Sequence, residues 1–89
     1  MTVYCISYDL IGDKDYDKLF EKIKSYEVYA HAQESLWFIK SSKDAAVVRE
    51  ELSPFVDDDD KILVIKVTLP WASRNLDKDV TDWLKGMNL

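Results

Sequence analysis

The stretch VYCISYDL, Val3–Leu10, is apolar almost to its end and then stops on a carboxylate, Asp9. Aromatic and β-branched residues fill it, so it reads as a strand. On the two-residue alternation of a strand, Val3, Cys5, Ser7 and Asp9 share one face, while Tyr4, Ile6 and Tyr8 take the other. The small side chains of Cys5 and Ser7 would let another layer come close to their face. Asp9 itself has two readings, a capping group that accepts backbone N–H bonds at the strand end or a ligand for a metal.

Downstream, IGDKD supplies turn chemistry with Asp13 and Asp15 as helix caps, and Tyr16, Leu19, Phe20, Ile23 and Tyr26 then recur at helical spacing. YEVYAHA and SLWFIK follow as two extended runs, with the polar pair Gln33 and Glu34 between them as the hairpin reversal. SSKDAAVVREEL reads as a second helix capped by Ser41 or Ser42, with Ala46, Val47 and Leu52 on its apolar stripe and Pro54 limiting its extension. The run DDDD leads into KILVIKV, short and β-branched enough to be a strand, and Pro70 ends it. The remaining WASRNLDKDVTDWLKGMNL carries Asn75 or Asp77 as a cap and Val80, Trp83, Leu84 and Met87 at i, i+3, i+4 and i+7, the pattern of a short docked helix.

Strand, helix, strand, strand, helix, strand is the order of an α+β ferredoxin-like βαββαβ sandwich with an antiparallel sheet, here with a C-terminal helical tail. The expected layout is a single domain over residues 1–89, with a core at 2–68 and the tail at 69–89. In such a fold two helices cover one sheet face, and strands with an open second face alternate apolar with polar residues. VYCISY, LWFI and ILVI do not alternate. The second face is therefore expected to be buried as well, by the tail or by another copy of the sheet.

Composition narrows the function. The chain has 17 Asp plus Glu against 12 Lys plus Arg, a formal charge of −5, and its two arginines are Arg49 and Arg74. Tight duplex DNA binding needs clustered positive charge for phosphate contacts and counterion release, so this balance argues against it. At 89 residues the chain buries only about 60 to 65% of its unfolded surface, which favours association with a second copy. Its lone cysteine, Cys5, sits inside an apolar run and reads as a small buried hydrophobe. No apolar run reaches the roughly 18 residues a membrane span requires, and no signal segment is evident, so a cytoplasmic protein without a membrane partner is expected.

The four aspartates Asp57 to Asp60 offer hard oxygen ligands but lack the spacing of a calcium loop, and read as a solvated turn. His31 is the only histidine, so zinc spacing is absent and a partly exposed strand position outweighs a general-base role. Ser7, Tyr8 and Ser35 could assist at a metal site, although hydroxyls in strands usually serve packing. Trp37, Trp71 and Trp83 would suit a stacking platform for single strands, but without interleaved arginines they read as packing residues.

SYDL (Ser7–Leu10), QESLWF (Gln33–Phe38) and DDKILVIKV (Asp59–Val67), in this order and spacing, resemble the CRISPR-associated protein 2 family, ferredoxin-like dimers that also resemble virulence-associated protein D. The resemblance spans residues 2–68 and is greatest to short stand-alone members. It implies a homodimer in which Asp9 is the catalytic and metal-holding residue, with Mg2+ or Mn2+ as the cofactor and RNA as the substrate of a metal-dependent endoribonuclease. It equally implies two alternatives: a non-catalytic dimeric module that binds a protein partner in a prokaryotic or phage defence or counter-defence system, and a toxin-like ribonuclease. The family's role as a DNA-holding bridge in spacer integration uses basic surface that this acidic chain lacks, and its tail is usually a strand where this one reads as a helix.

Overall fold

The computed structural model describes residues 1–11 and 16–89. Four strands, β1 (Thr2–Asp9), β2 (Val28–Gln33), β3 (Leu36–Ser41) and β4 (Lys61–Lys66), form one sheet in the order β2-β3-β1-β4. Every neighbouring pair is antiparallel, and β1 is central, flanked by β3 and β4. Helices α1 (Asp17–Lys24), α2 (Ala45–Leu52) and α3 (Lys78–Lys85) complete an α+β architecture in ferredoxin-like order.

Alternation along β1 sorts the two faces as expected. Tyr4, Ile6 and Tyr8 join Trp37 and Ile39 of β3 in the core, against Leu19 and Ile23 of α1 and Val48 and Leu52 of α2. The stripe on α1 is the one its sequence spacing implies, with Tyr16 and Phe20 packed at its margin and Tyr26 closing the end. The expected caps Asp13 and Asp15 lie outside the described residues.

The second helix departs from expectation in cap and stripe. Ser41 is spent as the last, buried residue of β3, where its hydroxyl accepts from the Lys43 amide, so the cap falls to Asp44, whose carboxylate accepts from Val47 N at 2.9 Å. The buried positions are therefore Val48 and Leu52, spaced i and i+4, while Val47 is 42% exposed. The hairpin reversal also shifts by one residue. Gln33 pairs with Leu36 across an irregularity at His31/Gln33, which leaves Glu34 and Ser35 as the turn.

The tail lies on the sheet face opposite α1 and α2. Trp83 stacks on Phe38 with ring centroids 5.9 Å apart, and Phe38 alternates with the core residues Trp37 and Ile39. Val80 and Leu84 are buried beneath α3 and Trp83 is half-buried. Of the two expected caps, Asp77 occupies the position before α3, and Asn75 instead adopts the left-handed conformation at φ 64° that its short amide tolerates. The cover is partial: Leu63 and Ile65 of β4, on the face not occupied by α1 and α2, remain 55% and 51% exposed.

Glu51 joins the ends of the two core helices. It accepts from the Tyr26 hydroxyl at 2.7 Å and pairs with Lys43. The Lys43 hydrogen bond, then that of Tyr26, holds its carboxyl below the ordinary value of 4.5, while burial, then the carboxylate beside it, raises the Tyr26 hydroxyl. A carboxyl depressed in the folded state binds fewer protons there than in the unfolded chain, so its contribution is present above the ordinary value and lost as pH falls through the folded one. Urea midpoints measured at pH 7 and pH 3 should fall more for the wild type than for Glu51→Gln. For the tail, Leu84→Ala should lower stability by about 2 to 5 kcal/mol and Trp83→Ala by less, in chemical denaturation.

Candidate functional site

Asp9 ends β1 on the open face, exposed, and forms no ion pair among the described residues. Ser7 precedes it on the same face, half-buried, with Leu36 of β3 and Leu63 of β4 as its cross-strand neighbours. Cys5 lies further along, its thiol raised by burial, which keeps it a neutral small side chain as its sequence context implies. Directly opposite Asp9 stands Lys61, the first residue of β4. Cross-strand partners project from the same face, so carboxylate and ammonium flank one shallow cavity of about 270 Å3 whose lining includes Ser7 and Leu63.

Tyr8 contributes to the lining of this cavity, but its side chain lies on the core side of the sheet. Its hydroxyl donates to the Glu34 carbonyl and accepts from the Trp37 indole N–H, both at 3.0 Å, and its amide donates to the Ser35 carbonyl at 3.1 Å. These bonds pin the β2–β3 turn to the end of β1, the strand end that presents Asp9. Burial raises the Tyr8 hydroxyl, and the Trp37 bond opposes that rise.

His31 is not brought to Asp9. It stacks on Trp37 at 3.8 Å between centroids and 7° between planes, on the helix-covered side of the sheet, with Nε2 3.3 Å from the Glu34 carbonyl. The tryptophans are packing residues: Trp37 is buried, while Trp71 and Trp83 are half-buried along the tail. Asp57, Asp59 and Asp60 gather their carboxylates within 4.8 Å, an acidic cluster at the same sheet end as Asp9. Asp60 serves structure there, accepting from the amides of Ile11 and Asp57 at 2.8 Å and from the Tyr16 hydroxyl at 2.9 Å.

The sequence singles out Asp9 but not its cross-strand neighbour Lys61, because the pairing becomes visible only once the β1–β4 register is known. The signal available was that one strand ends on an acid and another begins on a base.

A ferredoxin-like sheet with α1 and α2 on one face, α3 on the other and a carboxylate at the tip of its central first strand defines the class of fold. The chain matches the family described as CRISPR associated protein Cas2 over residues 1–75, and it belongs to that family. Helix α3 lies beyond the matched span. The fold is also similar to the crystal structure of a hypothetical protein from Thermus thermophilus, with a TM-score of 0.61 and 18% identity over 85% of this chain and 98% of that one. Among the described residues, no helix is long and apolar enough to cross a membrane.

Tyr8→Phe would leave the indole N–H of Trp37, 2% exposed, without its acceptor. An orphaned buried donor costs about 1 to 3 kcal/mol, so this variant should unfold at correspondingly lower urea, monitored by tryptophan fluorescence.

Proposed function

We propose that two copies of this chain pack their open sheet faces together and act as a divalent-cation-dependent endoribonuclease, with Asp9 of each copy as catalytic residue and metal ligand. The observation that carries this reading is the placement of Asp9: exposed at the tip of the central strand, on the open face where Leu63 and Ile65 also stay exposed, in a chain of the Cas2 family. Covering that apolar patch would contribute about 2.5 kcal/mol for each 100 Å2 removed from water. The small side chains of Cys5 and Ser7 admit a facing sheet.

The residues fit a hard cation. Magnesium and manganese take oxygen donors, and magnesium is commonly held by one or two carboxylates with water completing its shell. Asp9 and Asp9 of the partner subunit would supply that number, and two carboxylates brought close in a partly desolvated seam repel unless a proton or a cation offsets them. When bound, such an ion supplies an activated water and charge compensation at a phosphodiester. Asp9 holds that position, Ser7 contributes a hydroxyl to the same face, and the bonds from Tyr8 to Trp37 and Glu34 keep the strand end fixed. The acidic surface favours a short single-stranded RNA over duplex DNA.

A second reading, a non-catalytic dimer that binds a protein partner in a defence or counter-defence setting, draws on Lys61. An ammonium opposite each Asp9 would offset its charge without a metal ion. The two separate in one experiment. Asp9→Asn should lower Mg2+- or Mn2+-dependent cleavage of single-stranded RNA by about 100-fold or more while sedimentation still shows the wild-type assembly. Cleavage at the wild-type rate by Asp9→Asn, or cleavage that persists in chelator, overturns the catalytic reading.

A further inference from the structure

We infer that Lys61 forms a phosphate-binding subsite beside Asp9 and holds a backbone phosphate of single-stranded RNA there, an inference that rests on the reading of Asp9 as the catalytic residue. The register of β1 and β4 places Lys61 opposite Asp9 at the shared strand end. Directly opposed residues of an antiparallel pair have Cβ atoms about 4.5 to 5.5 Å apart on one face, so the ammonium reaches the region above the carboxylate. The cavity between them, with Ser7 and Leu63 at its sides, opens to solvent and has room for a phosphate.

Three other cations of the chain are committed to ion pairs. Arg49 pairs with Glu50, Lys43 with Glu51 and Lys78 with Asp82, whereas Lys61 forms no ion pair among the described residues. Its ammonium is a compact point charge with three donors, suited to a phosphate oxygen. In a chain of net charge −5 with Asp57 to Asp60 immediately before it, Lys61 is the cation placed directly opposite the carboxylate. A single phosphate contact per subunit would give a weak, salt-sensitive grip on one strand rather than the many phosphate contacts of a duplex binder.

The test uses the full chain and a fluorescein-labelled, fully 2′-O-methylated uridine 12-mer that resists cleavage, with binding read by fluorescence anisotropy across a sodium chloride series. Lys61→Met should weaken binding about 3- to 10-fold and reduce the salt slope by about 0.7 for each phosphate it no longer neutralises. Lys61→Arg should retain most affinity, and Lys66→Met, at the far end of β4, should bind as the wild type does. Circular dichroism melting checks that each variant is folded. Equal weakening by Lys61→Met and Lys66→Met, no change in Lys61→Met, or no salt-dependent binding by the wild type overturns the subsite. Because binding is read without cleavage, reduced affinity in Lys61→Met alongside an inactive wild type would uphold the subsite and sink the catalytic reading. Active cleavage with binding indifferent to Lys61 would do the reverse.

Discussion

Central strand β1 has to cover both of its faces, and the rest of the molecule is arranged around that demand. One face is satisfied within the chain: Tyr4, Ile6 and Tyr8 are buried against α1, α2 and β3. The other is satisfied in part. Val3 is buried, Cys5 and Ser7 are half-buried, and α3 covers the β2–β3 half while Leu63 and Ile65 of β4 stay largely open. An exposed apolar patch of this kind beside a carboxylate is what the proposed pairing of two copies would cover.

The order of the elements and the composition of the core were legible because period decides them. The spacing of Leu19 and Ile23, the unbroken LWFI and ILVI runs and the Val80–Leu84 pair each point one way only. The lack of alternation in the strands correctly demanded a second cover, and Trp83 supplies part of it by stacking on Phe38. The misses are local choices between near-equivalent groups. Ser41, Ser42 and Asp44 can all cap a helix, and what decided for Asp44 was the length of β3, a tertiary matter. A one-residue irregularity in β2 moved the turn to Glu34 and Ser35, and nothing in Gln33-Glu34-Ser35 announces it.

At the candidate site, Asp9 stood out because an acid at the end of an apolar run is conspicuous, and the role proposed for it is the one the family resemblance implies. Lys61 was not, because cross-strand partners 52 positions apart in sequence meet only through register. The aspartate run was legible as a turn, yet Asp60 does more than solvate it: through Ile11, Tyr16 and Asp57 it ties the end of β1, the start of α1 and the lead-in to β4 together. Acid and base at one sheet end therefore rest on a shared scaffold, with the Tyr8–Trp37–Glu34 bonds bracing it from the opposite face.

A shared cation site requires two Asp9 positions to meet across a two-fold seam. Pulsed electron paramagnetic resonance with a nitroxide at Asp9→Cys, in a Cys5→Ala background, measures that separation directly. Facing sheets pack about 10 Å apart, so a single narrow distance below about 25 Å between the labels is the expected result. A broad or longer distance, or no dipolar coupling at concentrations where the protein is fully folded, would contradict it.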